Sequence, residues 1–172
     1  AEQNLLGSIL VNNDIIDEIA NTIKPEKFYD PIHVKIYEVI ENLNRKGMIA
    51  NPITLKNYFE KNQGLDEVGG VEYLVKLTRF SSSVKQAIDY AKIVQENFVR
   101  RELVKISQYI KDDTLNIEDD KSSDLIIEDA EKLLFDLAER GSFSQSFMKF
   151  NLALDQSIHM AEQAMKNDQG IV

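Results

Sequence analysis

Apolar residues recur at 4-3-4 spacing along most of this chain with polar residues between them, the pattern of amphipathic helices. The pattern runs longest from Val84 to Arg140. There Ala87, Ala91, Val94 and Phe98 form one stripe, and Val99, Leu103, Ile106 and Ile110 repeat the spacing one residue out of step. One residue is about 100° of helix, so the apolar face turns partway along. After a polar connection from Asp112 to Ser123, a second helix carries Ile126, Ala130, Leu133 and Leu137, its stripe broadened by Ile127, Leu134 and Ala138. The two helices read as a long antiparallel hairpin. One mate covers one stripe per helix, so the turned face of the first and the broad face of the second require another body, either the rest of this chain or another copy.

Upstream, residues 1–83 read as a compact head of short helices. Leu5, Leu6, Ile9 and Leu10 mark the first, and Asn12-Asn13-Asp14 interrupts it before Ile15, Ile16, Ile19 and Ile23, with Asn13 or Asp14 as N-cap. Pro25 to Tyr29 makes one turn that Pro31 ends, and Val34, Ile36, Tyr37, Val39, Ile40 and Leu43 mark a longer helix stopping near Gly47. Asn51-Pro52-Ile53-Thr54 opens the next helix, capped by Asn51 or Thr54. Gly69-Gly70 then forms a corner that requires positive φ or close approach, and introduces a helix with Val71, Tyr73, Leu74 and Leu77. Downstream of the hairpin, 84–141, a flexible joint is expected over 142–150. A linker helix over 151–167 presents Leu154, Ile158, Ala161 and Met165 with no neighbour in sequence to cover them, so it is expected to dock on a partner and to fray when that partner is missing. The fold class is all-α: a multi-helix head, a helical hairpin and a separate C-terminal linker helix.

Composition sharpens this picture. With 172 residues, 43% of them apolar, only seven Gly and three Pro, the chain supports one modest helical core plus an extension. No apolar run approaches the ~20 residues of a bilayer span, and Ala1-Glu2-Gln3 is polar where a signal sequence is basic and then apolar, so a soluble protein is expected. Cysteine is absent, which removes disulfides and thiolate metal sites and is compatible with a cytoplasmic location. The net charge of −9 opposes phosphate, so direct binding to DNA is not expected. Charge is also divided: residues 85–112 hold six Lys or Arg against four acids, and 113–141 hold three against ten, so the two arms attract.

Catalytic chemistry is missing. There is no GxxxxGK[ST] and no GxGxxG. His33 and His159 belong to no metal-spaced set; His33, just before an apolar helix, reads as a cap or packing residue, and His159 as an interface or solvent-facing one. Glu118-Asp119-Asp120 lacks the ligand alternation and central Gly of a calcium loop and reads as a solvated turn. The candidate catalytic, cofactor-binding and metal-ligating sets are therefore empty.

Six short elements in order then carry a resemblance. Glu2-Gln3-Asn4-Leu5-Leu6-Gly7-Ser8-Ile9-Leu10 resembles the opening of the bacterial replicative DNA helicases, the DnaB family. Phe28-Tyr29 with His33 and Ile36-Tyr37, Ile53-Thr54-Leu55, Val68-Gly69-Gly70 with Tyr73-Leu74 and Leu77, Tyr90-Ala91 with Ile93-Val94, and Arg101 resemble its later elements. Two departures stand out: Asn51 replaces the usual Asp before the Ile-Thr-Leu element, and Ser81 to Ser83 replace a common Pro, which is expected to loosen that corner.

The resemblance implies a two-tier ring ATPase in which this chain is the N-terminal collar plus the linker helix. A RecA-like motor beyond Val172 would hold ATP and Mg and contact DNA. It further implies self-association into dimers and a hexamer built as a trimer of dimers, docking of primase on the collar, and a helicase loader as a further partner. On that basis Val99, Leu103, Ile106 and Ile110, with Ile126, Ala130, Leu133 and Leu137, are the candidate oligomer interface. Tyr90, Ile126 and Ile127 are candidate primase contacts, and Leu154, Ile158, Ala161 and Met165 the docking face of the linker helix. Each hairpin residue equally fits an ordinary hairpin core. The alternative reading is a freestanding helical adaptor or regulatory domain with no motor.

Overall fold

The structure is a computed structural model that describes residues 1–62, 64, 66–118, 120–141 and 144–168, with side chains described outside 144–153 and 168. Among the described residues there are eight α-helices: α1 (Glu2–Val11), α2 (Asp14–Ile19), α3 (Pro31–Arg45), α4 (Pro52–Lys61), α5 (Gly70–Thr78), α6 (Val84–Leu115), α7 (Ser123–Arg140) and α8 (Ser144–Asp168). Two 3₁₀ turns lie at Pro25–Lys27 and Asp66–Val68, and the fold is all-α as the periodicity requires. The chain divides into two compact units, Ala1–Glu102 and Leu103–Val172.

The first unit is larger than the head read from the sequence as residues 1–83. Ala87, Ala91 and Val94 on α6 are buried in the same core as Leu5, Leu6 and Ile9 of α1, Ile36, Tyr37 and Ile40 of α3, Leu55 of α4, and Leu74 and Leu77 of α5. The first stripe of α6 is thus head core, and the unit boundary falls inside the helix, between Glu102 and Leu103. Phe98 and Val99 are buried as well.

The tightest contact in this unit is between α1 and α5. A Cβ added at Gly7 would lie 2.0 Å from the Leu77 carbonyl oxygen and 3.0 Å from its carbonyl carbon, so only glycine permits the approach. One residue on, the Ser8 hydroxyl donates to the Asn4 carbonyl at 2.7 Å and accepts the Ser82 amide at 2.9 Å, with the Ser82 hydroxyl also 2.9 Å away. The corner expected to loosen without its proline is therefore fastened. Proline at Ser82 would have no N–H to give Ser8.

Local chemistry sets the remaining helix ends. The Asp30 side chain accepts the Ile32 amide at 2.9 Å and Pro31 occupies the first position of α3. Asn51 and Thr54 both act at α4: the Asn51 side chain accepts the Ile53 and Thr54 amides, and the Thr54 hydroxyl accepts the Asn51 amide, a reciprocal box that works without the missing aspartate. Gly47, Gly69 and Gly70 adopt φ of 69°, 82° and 72°, as expected where helices end or turn. Asn13 differs from expectation. Its side chain caps nothing in α2; it donates to the Ile9 and Ala50 carbonyls and accepts the Ala50 amide at 2.7 Å, tying the α1–α2 corner to the α3–α4 corner.

In the second unit, Lys121 sits between Asp113 at 2.5 Å and Asp129 at 2.7 Å and lies over the Tyr109 ring, joining the end of α6 to the start of α7. Ser122 caps α7 by accepting the Leu125 amide. The last helix starts earlier than the pattern suggests. Residues 144–150 of the expected joint are helical, since no Gly or Pro stands between Gly141 and Gly170 to stop them, and residues 142 and 143 lie outside the described residues.

Gly7→Ala tests the α1–α5 contact with opposite signs for the two possible outcomes. In an uncrowded helix the change stabilises by about 0.5–1 kcal/mol. Here the added methyl meets backbone, and a loss of about 1–3 kcal/mol is expected in urea unfolding followed by circular dichroism.

Candidate interaction surface

The eight residues assigned from sequence to an oligomer interface do not share one environment. Val99 is buried within the first unit, and Ile106 and Leu137 are buried in the second. Ile110, Ile126, Ala130 and Leu133 are partly covered. Leu103 alone among them is open, at 43% exposure. The positions beside these carry the exposed apolar surface of the unit: Val104, Tyr109 and Leu115 on α6, and Leu125, Ile127 and Leu134 on α7, with Ile127 at 58%. Periodicity located the helices and left this stripe open between an oligomer interface and an ordinary hairpin core; within the chain seven of the eight positions are buried or partly covered. The exposed acids Asp124, Glu128, Glu131 and Asp136 lie among the exposed apolar residues of α7.

Of the residues assigned to primase, Ile127 is exposed, Ile126 half-buried, and Tyr90 packs partly buried against the core of the first unit. Leu154, Ile158, Ala161 and Met165 on α8 are all exposed, so the apolar face of that helix is open over its described side chains. His159 beside them is exposed and lies 3.8 Å from Glu162.

The first unit contains a polar cluster that sequence reading missed. His33 is buried, the packing rather than the capping of its two readings, with Nδ1 2.5 Å from a Glu2 carboxylate oxygen and Nε2 2.8 Å from the Tyr73 hydroxyl. Glu2 also accepts the Tyr29 amide at 2.6 Å and the Asp30 amide at 3.4 Å, while the Gln3 side-chain amide donates to the Tyr73 hydroxyl at 3.2 Å. Burial pushes the Glu2 carboxyl up, but the His33 hydrogen bond, the Tyr29 amide, the His33 charge and the Asp30 amide together outweigh it and hold the group below the ordinary 4.5. A signal was present: Glu2, His33 and Tyr73 all fall within the motif elements quoted above, separated by 31 and 40 residues. Beside this cluster the Arg101 guanidinium donates to the Lys27 carbonyl at 2.9 Å and stacks 5.3 Å from the Tyr29 ring centroid.

Among the described residues no group of three or more His, Cys, Asp or Glu is placed to hold a metal ion, and no helix is long and apolar enough to cross a membrane.

A family model for the DnaB-like helicase N-terminal domain matches residues 1–96, more than half of the chain. The chain belongs to the DnaB N-terminal domain family. Relatives extend the likeness along the whole length. The replicative DNA helicase DnaB of Rickettsia conorii is 37% identical over 172 residues, all of this chain and 35% of that protein, and that of Rickettsia bellii is 38% identical over the same residues and 34% of its length. The chain thus spans about a third of these relatives. Among solved structures it is similar to the N-terminal domain of DnaB helicase from Mycobacterium tuberculosis, at a TM-score of 0.70 and 26% identity over 78% of this chain and 94% of that one. It is also similar to a DnaB-like replicative helicase described with its interactions with primase, at a TM-score of 0.66 and 28% identity over 82% of this chain and 31% of that one.

Because Glu2 is depressed in the folded state, its contribution is present above the unfolded carboxylate pKa and is lost as pH falls through the folded value. The stability advantage of the wild type over Glu2→Gln is therefore expected at neutral pH and to shrink steadily below pH 4.5, read from urea midpoints of the two proteins between pH 7 and pH 3. A gap that widens on acidification would contradict this electrostatic account.

Proposed function

We propose that this chain is the collar portion of a replicative DNA helicase: it brings subunits together through the exposed apolar surface of the second unit and presents a docking surface to primase. The observation that carries the reading is the exposed apolar surface of α6 and α7, with Leu103 on α6 and Ile127 and Leu134 sharing one face of α7, on a chain matched end to end over about a third of the length of replicative helicases. The family supplies the role, and the surplus apolar area supplies the physical reason for association. Pairing of this surface makes a dimer, and three dimers make the hexameric collar. The similarity to a helicase described with its interactions with primase supports the second partner. ATP, Mg and contact with DNA belong in this reading to a motor outside these residues. A loader is a further partner, and the working compartment is the cytoplasm. The open face of α8, Leu154, Ile158, Ala161 and Met165, docks on the motor domain of a neighbouring subunit.

Light scattering at tens of micromolar is expected to give at least twice the monomer mass for the wild type. Leu103→Glu with Ile127→Glu places two charges on the exposed face without touching the core of the first unit and is expected to weaken association at least tenfold, in line with about 1–2 kcal/mol per central apolar contact. A strictly monomeric wild type would overturn the reading.

Primase binding is read separately, by calorimetric titration of purified primase into the wild type and Ile127→Ala. A loss of about tenfold in affinity is expected for the variant. No heat at any ratio with the wild type would remove primase from the proposal while leaving self-association standing.

A further inference from the structure

The cluster around His33 is a chain of side-chain hydrogen bonds across three helices. The Glu2 carboxylate accepts from His33 Nδ1, His33 Nε2 lies 2.8 Å from the Tyr73 hydroxyl, and the Tyr73 oxygen accepts the Gln3 amide. Gln3, Tyr73, His33 and Glu2 are thereby linked across α1, α3 and α5. The relay ends on a segment without regular structure. Residues 28–30 belong to no helix, and the Tyr29 and Asp30 amides are bonded to the Glu2 carboxylate at its end. The opposite side of the same segment is the seat of α6: Arg101 bonds the Lys27 carbonyl and lies on the Tyr29 ring, one residue before the first unit ends at Glu102. Backbone bonds hold the two ends of the segment, Phe28 N–H to the Pro25 carbonyl and Val34 N–H to the Asp30 carbonyl, and the Phe28 ring is buried; the Tyr29 and Asp30 amides between them depend on the Glu2 side chain.

We propose that the Gln3–Tyr73–His33–Glu2 relay is a clasp that shapes residues 27–30 into the seat for Arg101, so that opening the relay releases the Arg101 side chain. Closed, the clasp holds Arg101 on the Lys27 carbonyl and the Tyr29 ring. Open, it leaves α6 attached through Ala87, Ala91, Val94, Phe98 and Val99 but without its polar anchor at Arg101.

The test uses the whole chain and nuclear magnetic resonance, with two local readouts and one control. In Glu2→Gln, which puts an amide donor among the three donors, and in Tyr73→Phe, which cuts the relay at its far end, the Tyr29 and Asp30 amides are expected to exchange with solvent at least about tenfold faster. In both, the Arg101 side-chain protons are expected to lose the upfield shift imposed by the Tyr29 ring. The Ala50 amide, held by Asn13 at the other corner, is expected to keep its wild-type rate. Gln3→Met, a milder cut, is expected to act in the same direction and keeps the test available if either stronger variant does not fold. Faster amides with an unmoved Arg101 would overturn the coupling, an effect in Glu2→Gln alone would overturn the relay, and an Ala50 amide accelerated by the same factor would reduce the clasp to general loosening.

Discussion

Everything in the first unit follows from how closely α1 lies on α5. Glycine at position 7 lets the Leu77 carbonyl come to where a methyl would stand, and that approach sets the partners on either side of it. Toward the C-terminal end of α1, Ser8 meets Ser82 and fastens the corner from which α6 sets out. Toward its N-terminal end, Gln3 reaches Tyr73 of α5, and Glu2 and Tyr73 close on His33 from two sides. Were the helices to separate by the width of a methyl group, hydrogen bonds at both ends would lengthen together. Packing and polar satisfaction are here one constraint.

The second unit is governed by the opposite condition, apolar surface without enough chain to cover it. Ile106 and Leu137 are buried, but Leu103, Val104, Leu125 and Ile127 remain open among a large excess of acids. The acids keep such a surface soluble, and Lys121 gathers two of them, Asp113 and Asp129, where α6 gives way to α7. Association through this pair is the proposal, and the family's solved members include a helicase described with its interactions with primase. The chain carries two surfaces of different physics: a satisfied head and an unsatisfied arm.

Much of this was legible before any coordinates. The helices, a cap at Asn51 or Thr54, the corner at Gly69 and Gly70 and the family all follow from local chemistry and ordered motifs, because a cap or a turn is decided by neighbours within four residues. The polar cluster was not legible in the same way. His33 alone looks like a cap or packing residue, and nothing near it in sequence announces that Glu2 and Tyr73 will be its partners. Asn13 likewise reads as a cap and is used as a tie to Ala50.

What the sequence determined by itself was where helices form and that their apolar stripes on α6 and α7 exceed what a simple hairpin covers, since periodicity depends only on the order of residues. Which stripe goes inward was decided by the tertiary structure. Ala87, Ala91 and Val94 are head core because they pack in one cluster with residues of α1, α3, α4 and α5, whereas Leu103 and Ile127 remain exposed. Burial is a property of the assembled elements, and a one-dimensional pattern carries the need for a partner without saying who the partner is.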